Sequence, residues 1–191
     1  LPGAFDLAPG GPAGVRSSEP APVASTGLVG VRDGMANRDD PRTVLRQRLG
    51  GVGVWRPAAR SAAEEREAAA EIERLGYGSI WFGEGPNSKE AFTEAAILLA
   101  ATRRIVVATG IATIYGRDPV AMHNAALALA EAYPGRFLLG MGVSHAPLVQ
   151  ARGHAYGRPV TAMRAYLDAM ERVSYAPPPP PVDAIEISCP N

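Results

Sequence analysis

The chain is poor in the residues that would tie it to several large classes of protein. It has one cysteine, Cys189, so an intrachain disulfide is excluded and no set of thiolates is available to hold a metal. Its nineteen basic residues balance nineteen acidic ones, so no excess charge steers it toward a nucleic acid backbone or an anionic membrane surface. No apolar run approaches the ~18 residues that suggest a membrane span. The opening "LPGAFDLAPGG" has neither the basic start nor the continuous apolar core of a secretion signal. These absences lead us to expect a cytoplasmic protein that binds neither nucleic acid nor membrane. Lys89 is the only lysine, the other basic residues being arginine, and with much alanine and glycine that bias fits a GC-rich bacterial genome.

What is present is core material. Of 191 residues, 47% are hydrophobic, enough for one medium domain. Residues 1–48 are rich in Gly, Pro, Ser and Ala without a sustained apolar period, and are expected to lack order because they cannot bury enough surface to offset the entropy of folding. Met35 is the expected biological start within that segment.

From Val52 the pattern becomes regular. "VGVW" (52–55) reads as a strand, and Ser61 with Glu64 forms a capping box that opens a helix carrying Ala68, Ile72 and Leu75 on one face, with Gly76 as its stop. "SIWF" (79–82) is a second strand, and Asn87 and Glu90 begin a second helix. "RIVVATGIATIY" is a β-branched third strand. Asp118 and Pro119 start a third helix, which Pro134 and Gly135 end. "FLLGM" (137–141) is a fourth strand, followed by a loop and a helix on which Met163, Tyr166, Leu167 and Met170 share a face.

The strands start near 52, 79, 105 and 137, at steps of 27, 26 and 32 residues, which is the spacing of four successive βα units. Parallel strands with helical crossovers build either an open doubly wound sheet or a (β/α)8 barrel of roughly 250 residues. After Arg172 comes "VSYAPPPPPVDAIEISCPN", whose five consecutive prolines forbid a further helix or central strand. The domain is therefore expected over 49–172, with an irregular proline-rich tail over 173–191.

In either architecture ligands bind beyond the C-terminal ends of the strands. That directs attention to Arg56 onward, "GEGPNS", "TGIATIYGRD" and "GVSHAPL". "GMGVSH" lacks the third glycine of a dinucleotide fingerprint, with His145 in its place, and no acidic residue follows at the required distance. His123, His145 and His154 have no metal-ligand spacing, and no nucleophile elbow is present. His123 lies on an alanine-rich helix and reads as a half-buried core residue, whereas His145 follows a strand end. Ser144 reads equally well as a turn or cap residue, and Glu84 as a solvated loop charge.

"ERLGYGSIWFGEG", "RIVVATGIATIYGRDPVAMHNAALALAEAYPGRFLLGMGVSHAPLV" and "YGRPVTAMRAYLDAM" together resemble the luciferase-like flavin and deazaflavin oxidoreductases over about residues 50–172, and their coenzyme F420-dependent branch above all. The resemblance implies an α/β fold whose parallel (β/α) units form the N-terminal half of a TIM-type (β/α)8 barrel, binding F420 or alternatively FMN at its C-terminal mouth. It implies a bulge in the third strand with a non-prolyl cis peptide behind the cofactor ring, within Thr109, Gly110 and Ile111 and at Gly110–Ile111. Read without the resemblance, the same residues form an ordinary glycine bulge. Gly142, Ser144 and His145 would line the cofactor pocket, and Glu84 would supply a polar contact. Some relatives place a catalytic histidine next in sequence, where this chain has Gly85, so no catalytic acid or base is assigned.

The implied activity is hydride transfer between F420 and a small organic substrate. Its alternatives are FMN-dependent monooxygenation and a non-catalytic half-barrel fragment. Four units are half of eight, so the sequence reads as a truncated or frameshifted product, or as a half barrel that completes itself by association into a homo-oligomer.

Overall fold

The computed structural model describes residues 41–180 and 187–188. The expected start at Met35 and the segment 1–40 lie outside the described residues. Helix α1 (Pro41–Leu49) is followed by β1 (Gly53–Pro57), α2 (Ala62–Arg74), β2 (Ser79–Gly83), α3 (Ala91–Ala100), β3 (Val106–Thr109), β4 (Ala112–Thr113), α4 (Pro119–Ala132), β5 (Phe137–Gly142), α5 (Ala146–Ala151), α6 (Pro159–Glu171) and β6 (Ile187–Ser188).

The helices start where local chemistry supplies partners for free N–H groups. At Ser61, Oγ accepts from the Glu64 amide (3.3 Å) while the Glu64 carboxylate accepts from the Ser61 amide (2.9 Å), a complete capping box. Glu90 caps α3 by accepting from the Thr93 amide at 2.8 Å. Asp118 caps α4 through Ala121 N at 2.9 Å, with Pro119 at the first helical position.

The strands are all parallel. They run in the order β1-β2-β3-β5, with β4 continuing the line of β3 alongside β5 and β6 on the far edge of β5. This is the arrangement of successive units in a (β/α) barrel. One face of the sheet packs with the helices into the main core, which includes Ile80, Phe82, Leu98, Leu99, Met122 and Met141. The other face carries Val106, Ala108 and Leu138, with Trp81 against them. Tyr166 and Met170 bury the inner side of α6, and Met163 and Leu167 pack beside them.

The third strand breaks between Thr109 and Ala112, where the resemblance implies a bulge, in agreement with that expectation. Three expectations are corrected. Residues 41–48 are not irregular, because α1 lays Leu45 and Leu49 against Val106, Ala108 and Leu138. Tertiary burial of this kind stabilises a short helix whose own sequence is unremarkable. The loop after the fourth strand contains α5. Lastly, the tail is not wholly irregular. Ile187 and Ser188 pair in parallel with Leu139 and Gly140, where the edge of β5 offers unpaired backbone groups. Among the described residues no helix is long and apolar enough to cross a membrane.

Candidate active site

A cavity of about 410 Å³ opens at the C-terminal ends of β1, β2, β3 and β5. Its walls include Trp55, Glu84, Gly110, Ile111, Ser144 and His145. Five of the seven residues singled out from sequence thus meet in one place: Glu84, Gly110, Ile111, Ser144 and His145. The other two, Thr109 and Gly142, stand behind the wall and support it.

The wall between β3 and β4 is a bulge. Ala108 pairs with Leu138 and Ala112 with Met141, so four residue steps on one strand face three on the other. The extra residue breaks the ladder, and the fully buried Thr109 side chain repairs it: Oγ1 accepts from Gly140 N at 2.9 Å and donates to Gly140 O at 2.8 Å. The peptide bond between Gly110 and Ile111 is cis. Gly110 N donates to Phe82 O at 2.6 Å and Glu84 N to Ile111 O at 3.1 Å, which stitches the bulge to the end of β2. The Ile111 side chain turns toward Gly142, where a Cβ would come within 2.9 Å of Ile111 Cδ1, so glycine there leaves the room Ile111 occupies.

Glu84 lies at the cavity edge, but its carboxylate, only 3% exposed, turns inward. It forms an ion pair with Arg117 and accepts from Ala91 N at 3.3 Å and from Thr113 N at 3.0 Å. Its own amide holds Ile111 O, so one residue grips the bulge through both backbone and side chain. Arg117 also pairs with Glu90 (2.8 Å) and lies over the Phe92 ring, 5.1 Å from its centroid. Its carbonyl accepts from Tyr166 Oη at 2.9 Å. Burial pushes the Tyr166 hydroxyl well above the usual phenol range. At Glu90 burial opposes ionisation, but hydrogen bonds from Thr93 and the charge of Arg117 outweigh it and hold the carboxyl below its usual range.

The opposite wall is the β5–α5 loop. Ser144 has φ +57°, a left-handed conformation uncommon for a residue with a side chain. Tyr156 Oη donates to Ser144 O at 3.2 Å, and Tyr156 packs beside Tyr115, their ring centroids 6.3 Å apart. His145 follows as the residue before α5, and its carbonyl accepts from Leu148 N and Val149 N, each at 3.0 Å.

Sequence reasoning missed three contributors. Trp55, 62% exposed and lining the cavity, appeared only as the end of a strand. Arg117 and Tyr156 act through partners 33 and 12 residues distant, Glu84 and Ser144. An indole at the C-terminal end of a barrel strand was the one signal that could have been read earlier.

An arc of parallel βα units with a cavity at its C-terminal mouth defines a barrel-type α/β domain with its site where such barrels hold ligands. Residues 48–183 match the family described as luciferase-like monooxygenase, and the chain belongs to that family. It is 29% identical over 123 residues to the "Putative coenzyme F420-dependent oxidoreductase" of Mycobacterium tuberculosis, which covers 64% of this chain and 35% of that protein. Its fold is that of the coenzyme F420 dependent tetrahydromethanopterin reductase from Methanopyrus kandleri (TM-score 0.55, 17% identity, 62% of this chain and 38% of that one). The same holds for a type II Baeyer-Villiger monooxygenase of Pseudomonas putida in complex with FMN (TM-score 0.53, 19% identity, 60% and 35%). The chain spans about a third of the length of the curated relatives it matches.

Proposed function

We propose that this chain forms the cofactor-ring end of a luciferase-like oxidoreductase that uses coenzyme F420 and acts on a small organic substrate. The observation that carries the reading is the cavity at the strand ends, walled on one side by backbone at Gly110 and Ile111 and on another by the Trp55 indole. The residues present fit a planar ring. Gly83 also lines the cavity, and a Cβ there would come 3.3 Å from Gly110 O and 3.6 Å from Trp55, so glycine keeps the walls close and flat. Trp55 offers a broad apolar face for stacking. No arginine or lysine lines this cavity among the described residues, so the charged part of a cofactor would extend away from it.

Bound there, F420 would supply hydride transfer. The protein's contribution is to orient the ring against the bulge and exclude water from one of its faces. The F420 reading draws support from the mycobacterial relative at 29% identity. A second reading, FMN-dependent monooxygenation, is favoured by the fold shared with the FMN-bound monooxygenase.

Titrating the 191-residue chain with F420 and with FMN, followed by cofactor fluorescence and by the tryptophan emission that Trp55 shares with Trp81, tests the reading. Saturable binding of F420 in preference to FMN is expected. Preference for FMN would support the second reading, and saturation by neither would assign the chain to a non-catalytic fragment.

A further inference from the structure

We propose that residues 85–89 form a flap of the cavity, latched by two cations that stand outside the lining: Lys89 to the β1–α2 loop and Arg152 to α5. The ends of the segment are anchored independently of these latches. Glu84 before it and Glu90 at its far end both pair with Arg117, Glu90 at 2.8 Å. Glu84 N also donates to Ile111 O at 3.1 Å, which fixes the near end to the bulge. Between the two anchors, Gly85 and Ser88 line the cavity. Ser88 Oγ accepts from Gly85 N at 2.7 Å, and Ser88 N donates to Gly85 O at 3.4 Å. These bonds shape the turn without fastening it to a neighbour.

The fastening comes from the two cations. Lys89, the only lysine of the chain, reaches the β1–α2 loop twice: its amide donates to Ala58 O at 3.2 Å and its ammonium to Arg60 O. Ala58 lines the cavity, so this latch joins two of its walls. The buried carboxylate of Glu94, 3.5 Å from the ammonium, aims the Lys89 side chain, which is itself 25% exposed. On the other side Arg152, the residue that ends α5, donates from Nη2 to Gly85 O at 3.0 Å. Gly85 follows β2 and α5 follows β5, two strands that β3 separates in the sheet. The Arg152 latch therefore links walls that are not neighbours, past the end of β3. A charged donor that stays partly open to water gives a tie of intermediate strength, enough to set a wall and little enough to let it open. The inference concerns the cavity wall itself and goes beyond the choice between F420 and FMN.

The test is amide-resolved hydrogen exchange on the 191-residue chain and on four variants, Lys89→Met, Lys89→Arg, Arg152→Met and Arg152→Lys. Methionine keeps an unbranched stem and removes the charged donor. Exchange at Gly85 and Ser88 should quicken about tenfold in both methionine variants, the lower end of what a hydrogen bond to a charged group confers. Arg60 N, which donates to Glu65 Oε1 at 3.3 Å in the β1–α2 loop, should quicken only in Lys89→Met. His154 N, which donates to Val149 O at 3.2 Å behind Arg152, should quicken only in Arg152→Met. The two conservative variants keep a cation within reach and should restore the rates of the unaltered chain. Val107 N, bonded in the sheet, should hold its rate in all four. Unchanged exchange at Gly85 and Ser88 in the methionine variants would mean that the segment is held without the cations. An equal rise at Val107 would make the cations supports of the whole fold, and conservative variants as fast as the methionine ones would remove the charged donor from the account. Each of these three results overturns the proposal and leaves the cofactor reading untouched.

Discussion

The Thr109 hydroxyl stands in a missing rung of the sheet, 2.9 Å from Gly140 N and 2.8 Å from Gly140 O. A bulge leaves backbone groups unpaired, and buried groups without partners are costly. Thr109→Val keeps the shape and removes the hydroxyl, leaving the Gly140 amide and carbonyl without it. We expect a loss of about 1–3 kcal/mol, read from urea denaturation, and near wild-type stability for Thr109→Ser. Equal stability of the valine variant would mean that the bulge finds other partners.

The Glu84–Arg117 pair is predicted to act as a unit. Both side chains are nearly buried, 3% and 9% exposed, and removing one member of a buried pair leaves an uncompensated charge. Glu84→Gln should cost about 3 kcal/mol, with Arg117 retaining Glu90. In the double variant with Arg117→Gln the two losses should fall short of additivity by at least ~1 kcal/mol. Strict additivity in a double-mutant cycle would contradict the clamp.

A second buried cluster gives a pH signature. Glu94 lies under the β1–α2 and β2–α3 loops with Glu65, Arg56 and Lys89, the Lys89 ammonium 3.5 Å from the Glu94 carboxylate and Arg56 2.7 Å from Glu65. Burial, and then the charge of Glu65, raise the Glu94 carboxyl above its usual range despite Lys89 and Arg56. A carboxyl raised in the folded state stabilises the fold fully below its unfolded value, and loses that contribution as pH rises through the folded one. Glu94→Gln should therefore match wild type in acid and become the more stable of the two as pH rises from ~4.5 toward neutrality. Urea midpoints measured between pH 4 and 8 check this, and a variant that weakens with rising pH would show that the Lys89 pair dominates.

The sequence made the local features of this fold readable and hid the non-local ones. Capping residues such as Ser61, Glu64 and Asp118 satisfy amides three residues away, so their signals lie within a few letters. The β-branched run beginning "RIVVAT" marked β3, whose residues Val106–Thr109 are all buried. The bulge repair joins residues 31 apart, and the clamp joins residues 33 apart. Nothing in a short window announces either. Glu84 illustrates the limit: its place beyond β2 put it at the site, while the inward turn of its carboxylate depends on Arg117 from a different βα unit. Helix α1 was missed because it is ordered by contact with Val106, Ala108 and Leu138 and not by its own pattern.

The last prediction concerns the loop that carries His145. The Tyr156 hydroxyl is its outside tie, donating to Ser144 O at 3.2 Å, while the Leu148 and Val149 amides close onto His145 O at 3.0 Å. Deleting that hydroxyl in Tyr156→Phe keeps the ring beside Tyr115 and removes about 0.5–1.5 kcal/mol. The loss should fall on local opening, since loop and helix-end amides open without global unfolding. Hydrogen exchange at Leu148 and Val149 should then quicken by about fivefold for each kcal/mol lost. Exchange at Val107, whose amide donates to Arg136 O at 2.8 Å in the sheet, should not change. Ser144→Gly should act in the opposite sense on backbone strain, because φ +57° suits glycine better than serine, although it also frees the unfolded chain. If exchange rises equally at Val107 and Val149 in Tyr156→Phe, the hydroxyl contributes to the whole fold and the His145 loop has no tie of its own.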